Sequence, residues 1–151
     1  MSGRLANTAQ SDLFKLIFQN TNWANLGDAT GVRGSSTAGS LFVSLHTADP
    51  GAGGNQTTSE AAYTSYARVA VARSSGGWTI SGSSPTSVSN AAAVTFPACT
   101  GGSETETWFD IGRDTSGTGE LMFSGPLSSS LSVSSGITPS FAIGACVATI
   151  D

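Results

Sequence analysis

His46 is the only histidine in the chain, so it is the first place to look for acid–base or nucleophilic chemistry. A Ser/His/Asp arrangement could be built from His46, Asp49 and any one of 25 serines. With so many serines, that combination carries almost no information about catalysis. A histidine on a strand just before a turn is more often a surface or interface side chain. We therefore expect His46 to lie at the surface and to have no catalytic role.

Carboxylates beside an aromatic residue form the second candidate site. Glu106 and Asp110 fall on the same face of a predicted strand as Trp108, with Glu104 nearby. Glycosidases use two carboxylates about 5 to 10 Å apart. Residues four apart on a strand are separated by about 13 Å, which is too far, although a separation of two residues could fall in range. We expect instead a solvated outer face on which Trp108 contacts a neighbour.

The loop RDTSGTGE offers a third possibility, calcium binding by Asp110, Asp114 and Glu120. Calcium takes carboxylate and carbonyl oxygens from loops, but this loop has no EF-hand spacing and an ordinary glycine-rich turn explains it equally well. A single histidine leaves few ligands for a His and Cys metal site. The chain also lacks both glycine-rich nucleotide-binding motifs. We predict no catalytic, metal or cofactor site and no enzymatic activity.

The composition indicates a neutral polar surface. Only 11% of the 151 residues are charged, against about 25% in typical soluble domains. The basic residues are scattered and the net charge is −4, which argues against binding to nucleic-acid phosphates. No apolar run is long enough to span a bilayer, and MSGRLANTAQ lacks the apolar core of a signal peptide. We expect reduced, partly buried thiols at Cys99 and Cys146, the alternative being a disulfide.

The stretch LFVSLHTADP predicts the first strand and the turn that ends it. Leu41, Val43 and Leu45 alternate with Phe42 and more polar residues, as on a strand with one side on a core. At its end, Asp49 and Pro50 predict a turn. The next stretch, YARVAVAR, is predicted to form a hairpin with WTI at residues 78–80.

One helix is predicted over Ser11 to Phe18, with Ser11 as its cap. Leu13 and Ile17 fall on one face, with Phe14 and Phe18 beside them. Two interpretations stay open: the helix closes one end of the core, or its Phe14 and Phe18 side docks on another chain. The glycine- and serine-rich run at residues 27–40 then predicts a flexible connector.

Short strand-like segments follow, bounded by turn residues, to the end of the sequence. About eight strands at this spacing predict an all-β fold, an antiparallel β-sandwich of jelly-roll-like type with one short N-terminal helix. We expect residues 1–40 to form the helix and a connector arm, and residues 41–151 to form the β-sandwich domain.

Several stretches, taken in order, resemble one known family. They are LFVSLHTADP, YARVAVA, Trp78, Asn90 with VTFPA, TWFDIGRD, GELMFSGPL and GITPSFAIG. Together they are similar to small virion proteins of tailed bacteriophages, whose members are labelled tail fibre or capsid decoration (cement) proteins. The resemblance spans about residues 41 to 151. His46 departs from the small residue common in that family, so no role is carried over to it.

This resemblance implies a jelly-roll-like decoration subunit, a homotrimer made in the host cytoplasm and placed on the capsid surface. It would bind the outside of the assembled head and stabilise contacts between major capsid proteins, without nucleic-acid or membrane partners. The residues expected to contact the capsid or another subunit are Leu13, Phe14, Ile17, Phe18 and Trp23. The alternative is a tail-fibre or receptor- or glycan-binding module that uses Trp108 and the loops at residues 51–58 and 114–119.

Overall fold

The computed structural model describes residues 5–27, 31–82 and 86–150. Within these ranges it contains one helix, α1 (Asn7–Gln19), and nine strands. The strands are β1 (Ser40–His46), β2 (Val69–Ala72), β3 (Trp78–Ser81), β4 (Thr86–Asn90), β5 (Val94–Thr95), β6 (Ser103–Gly112), β7 (Leu121–Ser134), β8 (Ser140–Phe141) and β9 (Val147–Ile150). The predicted all-β antiparallel fold with one short N-terminal helix is confirmed.

The chain divides into two compact units. The first consists of Met1–Ser40, Ala72–Ala92 and Ile143–Asp151, and it contains α1 and the sheet β3-β4-β9. The second consists of Leu41–Val71 and Ala93–Ala142, and it contains the sheet β2-β1-β6-β7 and the pair β5-β8. The expected boundary after residue 40 lies where the chain passes from one unit to the other. The division into an arm and a sandwich domain stays a prediction.

Helix α1 begins one turn earlier than predicted. Its N-terminal cap is Ala6, which has extended backbone and no side-chain capping bond, so Ser11 lies inside the helix and the predicted cap is wrong. Gln10 organises the first turn instead, because its amide donates to the Leu5 carbonyl at 2.9 Å and accepts from the Thr86 N–H at 3.2 Å. The helix ends at Gln19, one residue beyond the predicted Phe18, and Asn20 follows in the left-handed conformation with φ 56°.

The aromatic face of α1 packs inside the first unit. Phe14 and Phe18 have no exposed surface, and the Phe18 ring lies 4.9 Å, centroid to centroid, from the ring of Trp78 on β3. The Gln19 amide also donates to the Trp78 carbonyl at 2.9 Å. Both phenylalanines therefore fill the core of their own chain, as in the first of the two interpretations. Their role as contacts with another protein stays a prediction.

Arg73 holds the end of α1 to the segment that follows it. Its guanidinium donates to the carbonyls of Ile17 at 2.6 Å, Leu16 at 2.7 Å and Ala38 at 3.1 Å. A cation at the C-terminus of a helix satisfies carbonyls that have no partner within the helix. The described part of the expected connector is thus tied to the helix end, while residues 28–30 lie outside the described residues.

The predicted hairpin of YARVAVAR with WTI is wrong. Strand β2 belongs to the four-stranded sheet, and β3 pairs with β4 so that Trp78 lies opposite Asn90. Strand β7 runs from Leu121 to Ser134, although Gly125 and Pro126 lie within it. On β7, Pro126 lies opposite Trp108 and Leu131 opposite Glu106, so residues 127–130 form a bulge against Thr107. The alternation of residues along the chain predicted these strands, but it did not predict which strands pair with them in the sheets.

We expect Phe18→Ala to destabilise the protein by about 3 to 5 kcal/mol, because it removes a fully buried ring that contacts Trp78. Urea unfolding monitored by tryptophan fluorescence measures this loss. The control is Leu26→Ala, at a side chain that is 46% exposed, where a change within about 0.5 kcal/mol is expected. A Phe18→Ala protein as stable as the wild type would contradict a core role for this ring.

Candidate functional site

The polar residues of β1 and β6 meet inside the second unit. The two strands are antiparallel neighbours, with Ser44 opposite Asp110 and His46 opposite Trp108. His46, Ser44 and Asp110 are all fully buried, so the expected surface position of His46 is wrong. The Thr58 carbonyl lies 2.8 Å from Nδ1 of the His46 ring, so the segment after β1 lies against that side chain. Consecutive residues Val43 to His46 are all buried, so both faces of this end of β1 are covered.

Hydrogen-bond directions define the state of the His46 ring. The Ser44 hydroxyl donates to Oδ1 of Asp110, which leaves the Ser44 oxygen to accept from His46 Nε2 at 3.1 Å. Asp110 Oδ2 lies 2.9 Å from the same Nε2. On the other side of the ring, Nδ1 lies 2.8 Å from the Thr58 carbonyl oxygen, which can only accept. Both ring nitrogens face acceptors when Asp110 is ionised, and this geometry favours an imidazolium paired with the Asp110 carboxylate.

The electrostatics of the cluster support this assignment. Burial of the ring opposes its charging, but the hydrogen bond and negative charge of Asp110 outweigh burial and raise the pKa of His46 above its ordinary value of 6.5. The Thr58 carbonyl and the Glu60 carboxylate act in the same direction. A buried charge needs a partner and satisfied hydrogen bonds, and this ring has both.

Ser44, His46 and Asp110 resemble a catalytic triad in composition but not in arrangement. In a triad, the histidine accepts the serine proton at one nitrogen and donates to the aspartate from the other. Here Nε2 serves both Ser44 and Asp110, Nδ1 is bonded to the Thr58 carbonyl, and the serine hydroxyl donates to the carboxylate. The ring has no free lone pair to act as a base, and none of the three side chains is accessible to a substrate.

A second polar pair, Glu60 and Arg68, lies near this cluster. Two guanidinium nitrogens of Arg68 contact the two Glu60 oxygens at 2.6 and 2.7 Å, a bidentate pair. Two further N–H groups donate to the carbonyls of Asp114 at 3.0 Å and Gly117 at 2.8 Å. Arg68 thus fixes the loop after β6, and four of its five N–H donors are occupied.

Tyr66 links Glu60 to the backbone of β1. Its hydroxyl donates to Glu60 at 3.2 Å and accepts from the Leu45 N–H at 3.1 Å. Burial, followed by the charge of Glu60, raises the pKa of Tyr66 well above its ordinary value of 10.0. A cleft of about 240 Å³ opens beside these residues, lined by Glu60, Tyr66, Ala67, Arg68, Thr115, Ser116 and Gly117. Since Arg68 is already paired, the cleft offers no unneutralised guanidinium to a ligand.

The predicted outer face of β6 is also wrong. Glu106 and Asp110 are fully buried, and Trp108 between them is half-buried. Glu104 accepts the N–H groups of Ala62 and Tyr63, at 2.9 and 2.8 Å, so the chain segment around these residues lies against this face. Charged side chains are normally exposed, which is why their alternation indicated solvent. The role of Trp108 as a binding surface stays a prediction.

Glu106 is the least satisfied group of this unit. Neither carboxyl oxygen has a hydrogen bond of acceptable geometry among the described residues. Burial, together with the neighbouring Glu104 carboxylate, raises the pKa of Glu106 to about 8. The carboxyl is therefore neutral below that pH, the form that is less costly to bury.

The loop that was considered for calcium binding is organised by protein groups. The Asp114 N–H donates at 3.0 Å to Oε1 of Gln56, a fully buried side chain that the sequence pattern did not single out. The side chain of Gln56 packs against two glycines. A Cβ on Gly112 would lie 2.1 Å from the Gln56 Cδ, and a Cβ on Gly119 would lie 2.3 Å from its Oε1. These two glycines are the trace that Gln56 leaves in the sequence pattern. In residues 5–27, 31–82 and 86–150, no group of three or more His, Cys, Asp or Glu is placed to hold a metal ion.

The remaining predicted contact residues lie in the first unit. Leu13 and Ile17 are half-buried on α1. Trp23 is also half-buried, and its backbone bonds to that of Val32 at 2.8 and 3.0 Å. Trp108 lies in the second unit. The contact role of these residues stays a prediction.

Cys99 and Cys146 are not joined by a disulfide, and both are fully rather than partly buried. Across the described ranges, no helix is long and apolar enough to cross a membrane.

The chain matches the model of one protein family. Residues 5–149 match the model described as "Gp80: Podophage GP4 fiber I protein gp80". The match covers most of the sequence and defines the class, a structural protein of a phage virion. The chain belongs to the podophage GP4 fiber I protein gp80 family. No curated protein matches the chain.

We expect Asp110→Asn to destabilise the protein by about 3 to 5 kcal/mol at neutral pH, because it leaves the buried His46 without its counter-charge. The folded-state pKa of His46 is raised, so its contribution is fully present below about pH 6.5 and is lost as the pH rises through the folded-state pKa. Unfolding free energies measured by urea titration at several pH values test this. Asp49→Asn, at an exposed carboxylate, is the control, and an equal effect of both variants would refute the buried pair.

Glu106→Gln should change the pH dependence of the unfolding free energy in a different way from Asp110→Asn. The folded-state pKa of Glu106 is about 8, above its ordinary 4.5, so the wild type loses stability as the pH rises from about 4.5 to about 8. The amide does not titrate. The unfolding free energy of Glu106→Gln relative to the wild type should therefore rise over this interval and then level off. Glu120→Gln, at an exposed carboxylate, is the control and should show no such rise. If the unfolding free energy of Glu106→Gln relative to the wild type does not change with pH, Glu106 is not buried as a neutral acid.

Proposed function

We propose that the protein is a non-enzymatic component of a phage fibre, which acts through contacts with other virion proteins. The observation that carries this proposal is the match of residues 5–149 to a family described as a fiber protein. The match spans both structural units, so neither unit needs a separate function. This corresponds to the tail-fibre alternative that the sequence left open.

The polar chemistry of the second unit supports a structural role. Its one histidine is fully bonded, and the Arg68 guanidinium is paired with Glu60 and two carbonyls. A catalytic site needs a group that is free to accept or donate a proton to a substrate within reach. Ser44, His46 and Asp110 are instead buried and bonded to one another, as expected for groups that fix strands and loops.

Capsid decoration is the second candidate, and the near absence of charge favours it. Strands β3, β4, β5, β7, β8 and β9 contain no Asp, Glu, Lys or Arg. In this role the protein would bind the outside of the assembled head as a homotrimer and stabilise contacts between major capsid proteins. Many neutral contacts repeated over a shell sum to a large free energy even when each is weak. Because Phe14 and Phe18 are buried, such a contact would use the half-buried Leu13, Ile17 and Trp23.

Copy number and position in purified phage particles separate the two candidates. A fibre component is expected at a small fraction of the copy number of the major capsid protein, with antibody label at the fibres in electron micrographs. Quantitative mass spectrometry of the particles provides the ratio. A copy number comparable to that of the major capsid protein, with label over the head, would overturn the fibre assignment in favour of decoration. Absence of the protein from purified particles would overturn both.

A further inference from the structure

The carboxyl group of Glu106 is enclosed by the second unit. Its side chain has no exposed surface, and neither oxygen has a hydrogen-bond partner among the described residues. The residue opposite it on β7 is Leu131, whose side chain has no polar atom. An unpaired charge is far more costly to bury than an unbonded neutral group. Ionisation of this carboxyl must therefore be accompanied by access of water to it.

The segment at residues 60–64 passes over this carboxyl. Its first residue forms a β-bridge with His46 at the end of β1, and its last residue forms one with Gly101, just before β6. Tyr63, within the segment, is buried. Burial, followed by the negative charge of Glu106, raises the pKa of Tyr63 to about 12. The phenol thus lies near Glu106 and stays neutral at the pH values at which that carboxyl ionises.

A second carboxylate holds the middle of this segment. Glu104 accepts the N–H of Ala62 at 2.9 Å and the N–H of Tyr63 at 2.8 Å. Glu104 and Glu106 are two residues apart on β6, so their side chains leave the strand on the same side, about 6 to 7 Å apart at the backbone. The bonds that hold the segment therefore end on a charge whose neighbour can become charged as well.

The other groups that face this carboxyl do not neutralise a second negative charge. On β1, the His46 ring is already paired with Asp110. At the start of the segment, Glu60 is paired with Arg68. Strand β7 contains no titratable side chain, and the Cys99 thiol near the Tyr63 phenol adds only a negative charge when it ionises. Within the described residues, the elements packed around the carboxyl thus supply no unpaired positive charge.

We propose that Glu104 and Glu106 form a pH-sensitive switch that opens the segment at residues 60–64. When Glu106 gives its proton to the solvent, two adjacent carboxylates repel each other, and water reaches them once the segment detaches from β6. Opening breaks the two N–H bonds to Glu104, exposes Tyr63 and releases one proton. The switch is built from groups of this chain alone, so it does not depend on the role of the protein in the virion.

Amide hydrogen exchange of the purified full chain, measured by NMR from about pH 6 to about pH 9.5, tests the proposal. Protection is taken relative to an unstructured peptide at the same pH. For the amides of Ala62 and Tyr63 it should fall about tenfold per pH unit and level off above about pH 8, because opening releases one proton. The backbone amides of Ser44 and Asp110, opposite each other on β1 and β6, should stay more strongly protected at each pH.

Variants assign the pH response to the two carboxyl groups. Glu106→Gln does not titrate, so it should make the protection of Ala62 and Tyr63 independent of pH, and it leaves His46 unchanged. Glu120→Gln, at an exposed carboxylate, is the control and should keep the fall seen in the wild type. Glu104→Gln retains an oxygen that accepts the two N–H groups but removes the neighbouring charge. The pH at which protection levels off should then be lower, which decides the matter if Glu106→Gln does not fold.

Three results would overturn the proposal. The first is protection of Ala62 and Tyr63 that does not change with pH in the wild type. The second is a fall with pH that persists in Glu106→Gln. The third is protection of these two amides equal to that of Ser44 and Asp110 at every pH, because the whole unit would then unfold together rather than the segment alone.

Discussion

The second unit depends on one buried ion pair, between the imidazolium of His46 and the carboxylate of Asp110. Removing two charges from water is unfavourable, and their attraction compensates only when the remaining hydrogen bonds are also made. Ser44 and the Thr58 carbonyl make them, so the pair joins β1, β6 and the segment that follows β1. The charge is used to hold backbone segments in place, and this constraint explains why a serine, a histidine and an aspartate lie together without catalytic geometry.

The neighbouring polar groups repeat this use of charge. Arg68 ties Glu60 to the loop after β6, and Glu104 holds two backbone N–H groups. Glu106 is the exception, since it is buried without a hydrogen bond of its own and is neutral below a pKa of about 8. Several charges are thus used inside the second unit, and eight of the nine described strands, all except β6, contain no Asp, Glu, Lys or Arg. Strands without charge suit a virion structural protein that acts by contact with its neighbours.

The sequence predicted features that depend on neighbouring residues in the chain. Leu41 and Leu45 are buried as their alternation indicated, and Asp49 shapes the turn by accepting the Gly51 N–H at 2.8 Å. The burial of His46 could not be predicted in this way, because it requires Thr58, twelve residues further on, to lie against the ring. The pairing of β3 with β4 has a different cause. Only residues 82–85 separate the two strands, but the serine-rich TSVSN of β4 lacks the apolar alternation that predicts a strand.

The central claim is that His46 is a charged structural residue, and NMR of the histidine ring tests it most directly. Since the chain has one histidine, its ring nitrogens give unambiguous signals in protein labelled with ¹⁵N. At about pH 7, the account predicts that both Nδ1 and Nε2 carry protons and show imidazolium chemical shifts. One bare nitrogen at that pH, or a titration midpoint at or below about 6.5, would contradict it.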